Sequence, residues 1–241
     1  MIGGISVLKA SDIIAYLQTL GNAKNAEHAQ RFFKTAPGEY GEGDSFLGIR
    51  VPVLRRELKR HRGLSLTENL KLLKSEFHEV RLFALLLMVD AYQRSDDAVR
   101  LKVFKQYLSH TRYINNWDLV DSSAPQIVGA QLCGRNTERL DKLARSSLLW
   151  ERRIAIIASY SMIRAGSFDD TLRLAKILLN DSEDLIHKAV GWMLREVGNR
   201  NRRVEEAFLQ EHYPQMPRTM LRYAIEKFPE QLRQDYLQGR I

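Results

Sequence analysis

Three stretches of the chain share one pattern: HEVRLFALLLMVDAYQR at residues 78–94, WERRIAIIASYSMIRAG at 150–166 and LIHKAVGWMLREVGNR at 185–200. Each sets a basic residue, Arg81, Arg153 or Lys188, just ahead of an apolar core stretch whose spacing is helical rather than alternating. The separations are 153 − 81 = 72 and 188 − 153 = 35. Half of 72 is 36, which predicts a further unit centred on residue 117, where NWDLVDSSAPQIVGAQL (116–132) stands. A step of roughly 34 beyond Lys188 reaches Arg222, in RTMLRYAIEKF. A period near 35 with two helices per unit is the arithmetic of a helical-hairpin solenoid.

The punctuation of the chain agrees. Of the six prolines, only Pro125 falls between Pro52 and Pro214, and no useful alternating run appears in that stretch. Polar or glycine-bearing breaks separate the helical segments, and Ser65, Ser95 and Ser167 read as helix starts. The expectation is an all-α protein with about a dozen helices of ordinary length. More specifically it is an α-solenoid of helical hairpins, one domain over residues 1–241 with a concave basic groove. One segment stands apart: TAPGEYGEGDSFLGIRVP (35–52), with four glycines, two prolines and three acids, reads as a functional or mobile loop. Pro52 is expected in the first turn of the helix that follows.

Composition excludes several classes of protein. The 241 residues include 44% hydrophobic and 27% charged side chains, ordinary for a packed chain and unlike a disordered one. Cys133 is the single cysteine, so a disulfide framework and a multi-cysteine zinc site are excluded, and the six histidines show no metal-ligand spacing. No metal and no cofactor are expected. The longest apolar run, Leu82 to Val89, is far short of the ~20 residues that span a bilayer. No basic segment followed by an apolar core lies near Met1, so no signal peptide is expected either. The expectation is a monomer, cytoplasmic and nucleoid-associated in the bacterial manner. The formal charge of 37 − 29 = +8 suits a polyanionic partner, and suits plain solubility as well.

The repeat register places chemistry. Positions four apart on a helix share a face. With Arg81, Trp117, Arg153, Lys188 and Arg222 as position zero, position plus four is Leu85, Asp121, Ile157, Trp192 and Glu226. Aligned second helices would then carry one stripe of four cations, two tryptophans and a carboxylate flanked by them. Asp118 leaves this stripe and reads as a cap or ladder residue, Trp150 reads as core, and Cys133 as a small hydrophobe at a helix end.

NWDLVD (116–121), WERR (150–153) and KAVGWMLREVG (188–198) resemble the signature segments of the AlkD-type DNA alkylation-repair glycosylases, which are built from HEAT-like repeats. FFKTAPGEYGEGDSFLGIRVPVLRR (32–56) and MPRTMLRYAIEKFPE (216–230) extend the resemblance over nearly the whole chain. It implies excision of positively charged N3- and N7-alkylpurines from duplex DNA by hydrolysis of the N-glycosidic bond. It also implies that Trp117, Asp121, Arg153 and Trp192 occupy active-site positions. Asp121, Trp117 and Trp192 are the expected catalytic residues; Arg153, Lys188, Arg222 and Phe32 are the expected DNA contacts. Phe32 stands where members of the family carry a tyrosine, so a hydroxyl is missing there.

The chemistry is coherent with those residues. A cationic purine leaves without a proton from a general acid, so one carboxylate suffices to stabilise the electron-poor sugar and orient water. Indole faces attract cations by roughly 0.5–2 kcal/mol each. Two other readings remain open on the sequence: a catalytically inactive HEAT-repeat protein that binds DNA structures, and a protein-binding α-solenoid scaffold.

Overall fold

The helical spacing in the sequence becomes helix throughout the computed structural model, which describes residues 8–241. The signal-peptide expectation bears on residues at Met1 and lies outside that range. Among the described residues the one non-helical pairing is an isolated bridge between Ser45 and Phe77. Among the described residues no helix is long and apolar enough to cross a membrane.

Chain contacts gather into two compact units, Met1–Ser123 and Ala124–Ile241. The first holds α1 (Ala10–Thr19), α2 (Ala23–Phe32), α3 (Val51–Glu57), α4 (Leu66–Leu73), α5 (His78–Arg94), α6 (Asp97–Ser109) and α7 (Trp117–Asp121). The second opens with a π-helical turn at Pro125–Gly129. It continues through α8 (Ala130–Leu132), α9 (Glu138–Ala144), α10 (Leu149–Ala158), α11 (Tyr160–Arg164), α12 (Asp169–Ile177), α13 (Asp184–Gly198), α14 (Arg202–His212), α15 (Arg218–Ala224) and α16 (Glu230–Gln238).

Helix α5 organises the first unit. Every residue from His78 to Met88 is buried, so its opening turns have no solvent face, and α3, α4, α6 and α7 pack around it. Full burial of each Leu, Phe or Met here contributes about 1.5–3 kcal/mol. The second unit shows the hairpin ladder directly. Helices α9 and α12 neighbour each other as first helices, while α10, α13 and α15 pack in sequence as second helices. This is the HEAT-like, all-α solenoid arrangement that the period near 35 predicts.

Several local expectations change. Ser65 does cap α4, accepting the N–H of Glu68, and Pro52 does sit in the first turn of α3. Ser95 instead ends α5, and Asp96 caps α6 by accepting the N–H of Val99; Ser167 is likewise displaced, because α12 begins at Asp169. The 150–166 segment divides into α10 and α11 at Ser159, whose hydroxyl turns back to the Ile156 carbonyl. The 35–52 loop is anchored at its end. Buried Glu79 accepts the backbone N–H groups of Leu47, Gly48 and Ile49 at 2.9, 2.7 and 3.1 Å.

The register itself shifts by one residue. Arg81 Nη1 donates to the Ser75 and Glu76 carbonyls, six and five positions back. Arg152, not Arg153, does the same to Ser146 and Ser147, and the His187 ring bonds the carbonyl of Asp181, six positions back. The structural equivalents are therefore Arg81, Arg152 and His187, each closing the turn that feeds its helix. Arg81 is buried and paired with Asp44 at 2.7 Å, so it adds nothing to an exposed basic stripe. Leu85 and Ile157, expected on that stripe, are wholly buried.

Candidate active site and DNA interface

Within the first unit the site is built on α7, a helix of a single turn. A segment this short has no stability of its own, so side chains must hold it. Asn116 caps it by accepting the Trp117 N–H at 2.8 Å. Ser123 donates to the Leu119 carbonyl and meets the buried Tyr107 hydroxyl at 2.9 Å. Burial and the nearby negative charge of Asp121 raise the pKa of that phenol, which therefore stays neutral.

Trp117 is half-buried on an aromatic bed. Its ring stacks on Phe33 at 5.3 Å between centroids and meets Phe32 edge-on at 6.0 Å. Phe32 is 57% exposed, an unusual position for a phenyl ring, and stacks on His28 at 6.4 Å. Asp121 lies four residues after Trp117 on the same helix and is half-buried, so indole and carboxylate share a face. Phe32, Trp117 and Asp121 are thus all placed on or against one short helix. A cavity of about 260 Å³ adjoins the bed, lined by Phe33, Phe46, Leu82, His78 and Asp118 among others.

The sequence reading missed what lies beneath the bed. His78, only 1% exposed, places Nδ1 at 3.1 Å from Asp44 and Nε2 at 2.8 Å from Asp118. Asp44 also receives Arg81 and the Asn115 amide. Burial alone would lower the imidazole's pKa. The hydrogen bonds to Asp118 and Asp44 outweigh it and push the value up to about 9. Burial likewise opposes ionisation of Asp44, yet His78 and Arg81 hold its pKa below the usual value. The partners of His78 lie 34 and 40 residues away, so no local spacing signals the cluster. Asp118, read from sequence as a cap or ladder residue, pairs with His78 of α5 and also accepts the Leu119 N–H at 2.9 Å.

In the second unit, Lys188 and Trp192 occupy one face of α13, four residues apart. Trp192 is half-buried, lies 6.4 Å from the Tyr160 ring and donates its indole N–H to Glu196 at 3.3 Å. Lys188 pairs with Asp184 at 2.8 Å while its side chain stays 40% exposed. Their hydrogen bond holds the Asp184 carboxyl below its ordinary pKa. Arg222 is exposed on α15. Arg153 is buried, with Nη1 donating to the Leu185 carbonyl at 2.5 Å. Tyr160, stacked under Arg200, is the neighbour of Trp192 that the sequence reading overlooked.

Fold and site together define an α-helical repeat protein that presents half-buried indoles next to charged side chains. Its pattern over residues 13–228 is that of the DNA alkylation repair enzymes, and the chain belongs to that family. Three solved chains match it in structure. Among them is a predicted DNA alkylation repair enzyme from Enterococcus faecalis, 17% identical, with a TM-score of 0.66 over 87% of this chain and 97% of that one. At that identity the likeness concerns the fold. No curated protein matches the chain in sequence.

Proposed function

We propose that this DNA alkylation repair enzyme is a glycosylase that hydrolyses the N-glycosidic bond of cationic N3- and N7-alkylpurines in duplex DNA. The observation that carries the reading is the pairing on α7. A half-buried indole and a half-buried carboxylate share one face of a helix that the surrounding side chains hold rigidly. Asp121 is assigned the stabilisation of positive charge on the sugar and the orientation of water. Trp117 and Trp192 are assigned cation–π contact with the charged nucleotide. The lesion already carries the charge that a general acid would otherwise create, so a second carboxylate is unnecessary.

Arg153, Lys188 and Arg222 are assigned to backbone phosphates, and Phe32 to an apolar contact at the rim. Of these, Lys188 and Arg222 have the exposure that a phosphate contact needs. Arg153 is buried, so its assignment rests on the resemblance of WERR (150–153) to the family's segment. The test is release of free base from a duplex carrying N3-methyladenine or N7-methylguanine. Wild-type protein is expected to liberate the modified purine and leave an abasic site. Tight binding without base release would instead favour a silent DNA-binding role.

A further inference from the structure

We propose that His78 is a positioning residue, which locks α7 through Asp118 so that Trp117 and Asp121 keep one fixed presentation to DNA. The proposal rests on the assignment of α7 as the catalytic helix, and its geometry is independent of that assignment.

Trp117 is bracketed in sequence by two residues tied to one buried pair. Asn115, two positions before it, donates to Asp44 at 3.2 Å, and Asp118, one position after it, receives His78 at 2.8 Å. Asp44 and His78 are themselves joined at 3.1 Å, and Arg81 fastens Asp44 to α5. A closed ring of polar contacts therefore passes beneath the indole. Phe33 fills the space between, 4.9 Å from the imidazole and 5.3 Å from the indole. Displacement of His78 would release α7 on its polar side and unseat the aromatic bed on its apolar side.

The protonation state follows from the same geometry. Both ring nitrogens face carboxylates, and only an imidazolium donates from both; neutral imidazole donates from one. The charged groups facing His78 are Asp44 from the loop, Asp118 from α7 and Arg81 from its own helix. Glu79, on the same helix, has both oxygens engaged by the loop backbone. His28 of α2 and Arg50 of the loop line the adjoining cavity. Because the folded pKa is raised to about 9, the contribution of the lock is complete below the ordinary histidine range. It fades as pH rises through about 9, when one carboxylate faces a nitrogen without a proton.

Two measurements on the full chain test this. Nuclear magnetic resonance of the His78 ring and the Trp117 indole N–H, followed from pH 6 to 10, is expected to give one shared midpoint near 9. Asp118→Asn keeps an acceptor but removes one negative charge. It is expected to lower the shared midpoint by about one unit, a tenfold change in the protonation equilibrium. Single-turnover release of N3-methyladenine, corrected for spontaneous loss at each pH, is expected to fall with the same midpoint. In Asp118→Asn the ratio of rates at pH 6.5 and 8.5 should then rise several-fold, with duplex affinity nearly unchanged. His78→Gln is expected to slow release by roughly tenfold and flatten the profile between pH 8 and 10. A Trp117 resonance indifferent to the His78 titration, or an Asp118→Asn profile superimposable on wild type, would overturn the proposal. A wild-type protein that releases no base, yet shows the coupled resonances, would sink the glycosylase assignment and leave the lock standing.

Discussion

Glu79 Oε1 accepts the N–H of Gly48 at 2.7 Å, joining the centre of the first unit to the end of the acidic loop. Gly48 has φ +78°, and a β-carbon there would stand 2.1 Å from the Asn22 carbonyl oxygen. The loop can therefore meet the carboxylate only with glycine at this position. What reads in sequence as a loose, negatively charged segment is a buttress behind Phe33 and Trp117.

Glu79→Ala strands three backbone N–H groups and is expected to cost about 2–5 kcal/mol. Gly48→Ala should be comparably damaging, through backbone strain and the collision with Asn22. Urea denaturation monitored by circular dichroism would register either loss. An unchanged midpoint in both variants would mean that the loop is not anchored as described.

Gly191 lets α13 and α15 approach closely. A β-carbon there would lie 2.4 Å from the Met220 carbonyl oxygen and 2.5 Å from the Tyr223 β-carbon. In an exposed helix, alanine would gain up to about 1 kcal/mol over glycine. Here overpacking against backbone, worth roughly 1–3 kcal/mol, works in the opposite direction and outweighs it. Gly191→Ala should lower the melting temperature, and a higher one would refute the packing argument.

Glu205 is buried beside Gly198, and Oε1 has no hydrogen-bond partner. Burial raises its pKa to about 8, with Glu206 adding to the effect and Arg202 and Arg195 opposing it. The folded chain then holds a proton that the unfolded chain releases near pH 4.5, so stability falls as pH rises from about 4.5 to about 8. Glu205→Gln should stabilise the protein by roughly 2–4 kcal/mol at pH 8 and by little at pH 5. Denaturation at the two pH values reads the difference, and equal effects at both would contradict it.

For Asp121, the glycosylase reading predicts that Asp121→Asn lowers base release by at least about a hundredfold while the duplex dissociation constant changes little. Chromatographic assay of freed purine, paired with a binding titration, separates the two. Turnover comparable to wild type would remove Asp121 from the mechanism.

Much of the fold was legible before any coordinates. Helical spacing in 78–94 predicts α5 to the residue, and a period near 35 predicts the ladder of α10, α13 and α15. The register was misread by one position because Arg152 and Arg153 stand side by side, and a sequence does not say which of two arginines closes the turn ahead of the helix. At the candidate site, Trp117, Asp121 and Trp192 are found half-buried on helices, whereas His78, Asp44 and Phe33 carried no signal of their own.

Local periodicity, capping chemistry and the distribution of proline are properties of neighbouring residues, so the amino-acid sequence by itself determined an all-helical repeat chain and its family. The His78 cluster joins residues 34 and 40 positions apart, and its strength comes from burial, which weakens the competition of water for each charge. Burial exists only after helices pack. Which arginine closes the turn ahead of its helix, and which carboxylate is spent on holding α7, was therefore decided by tertiary structure alone.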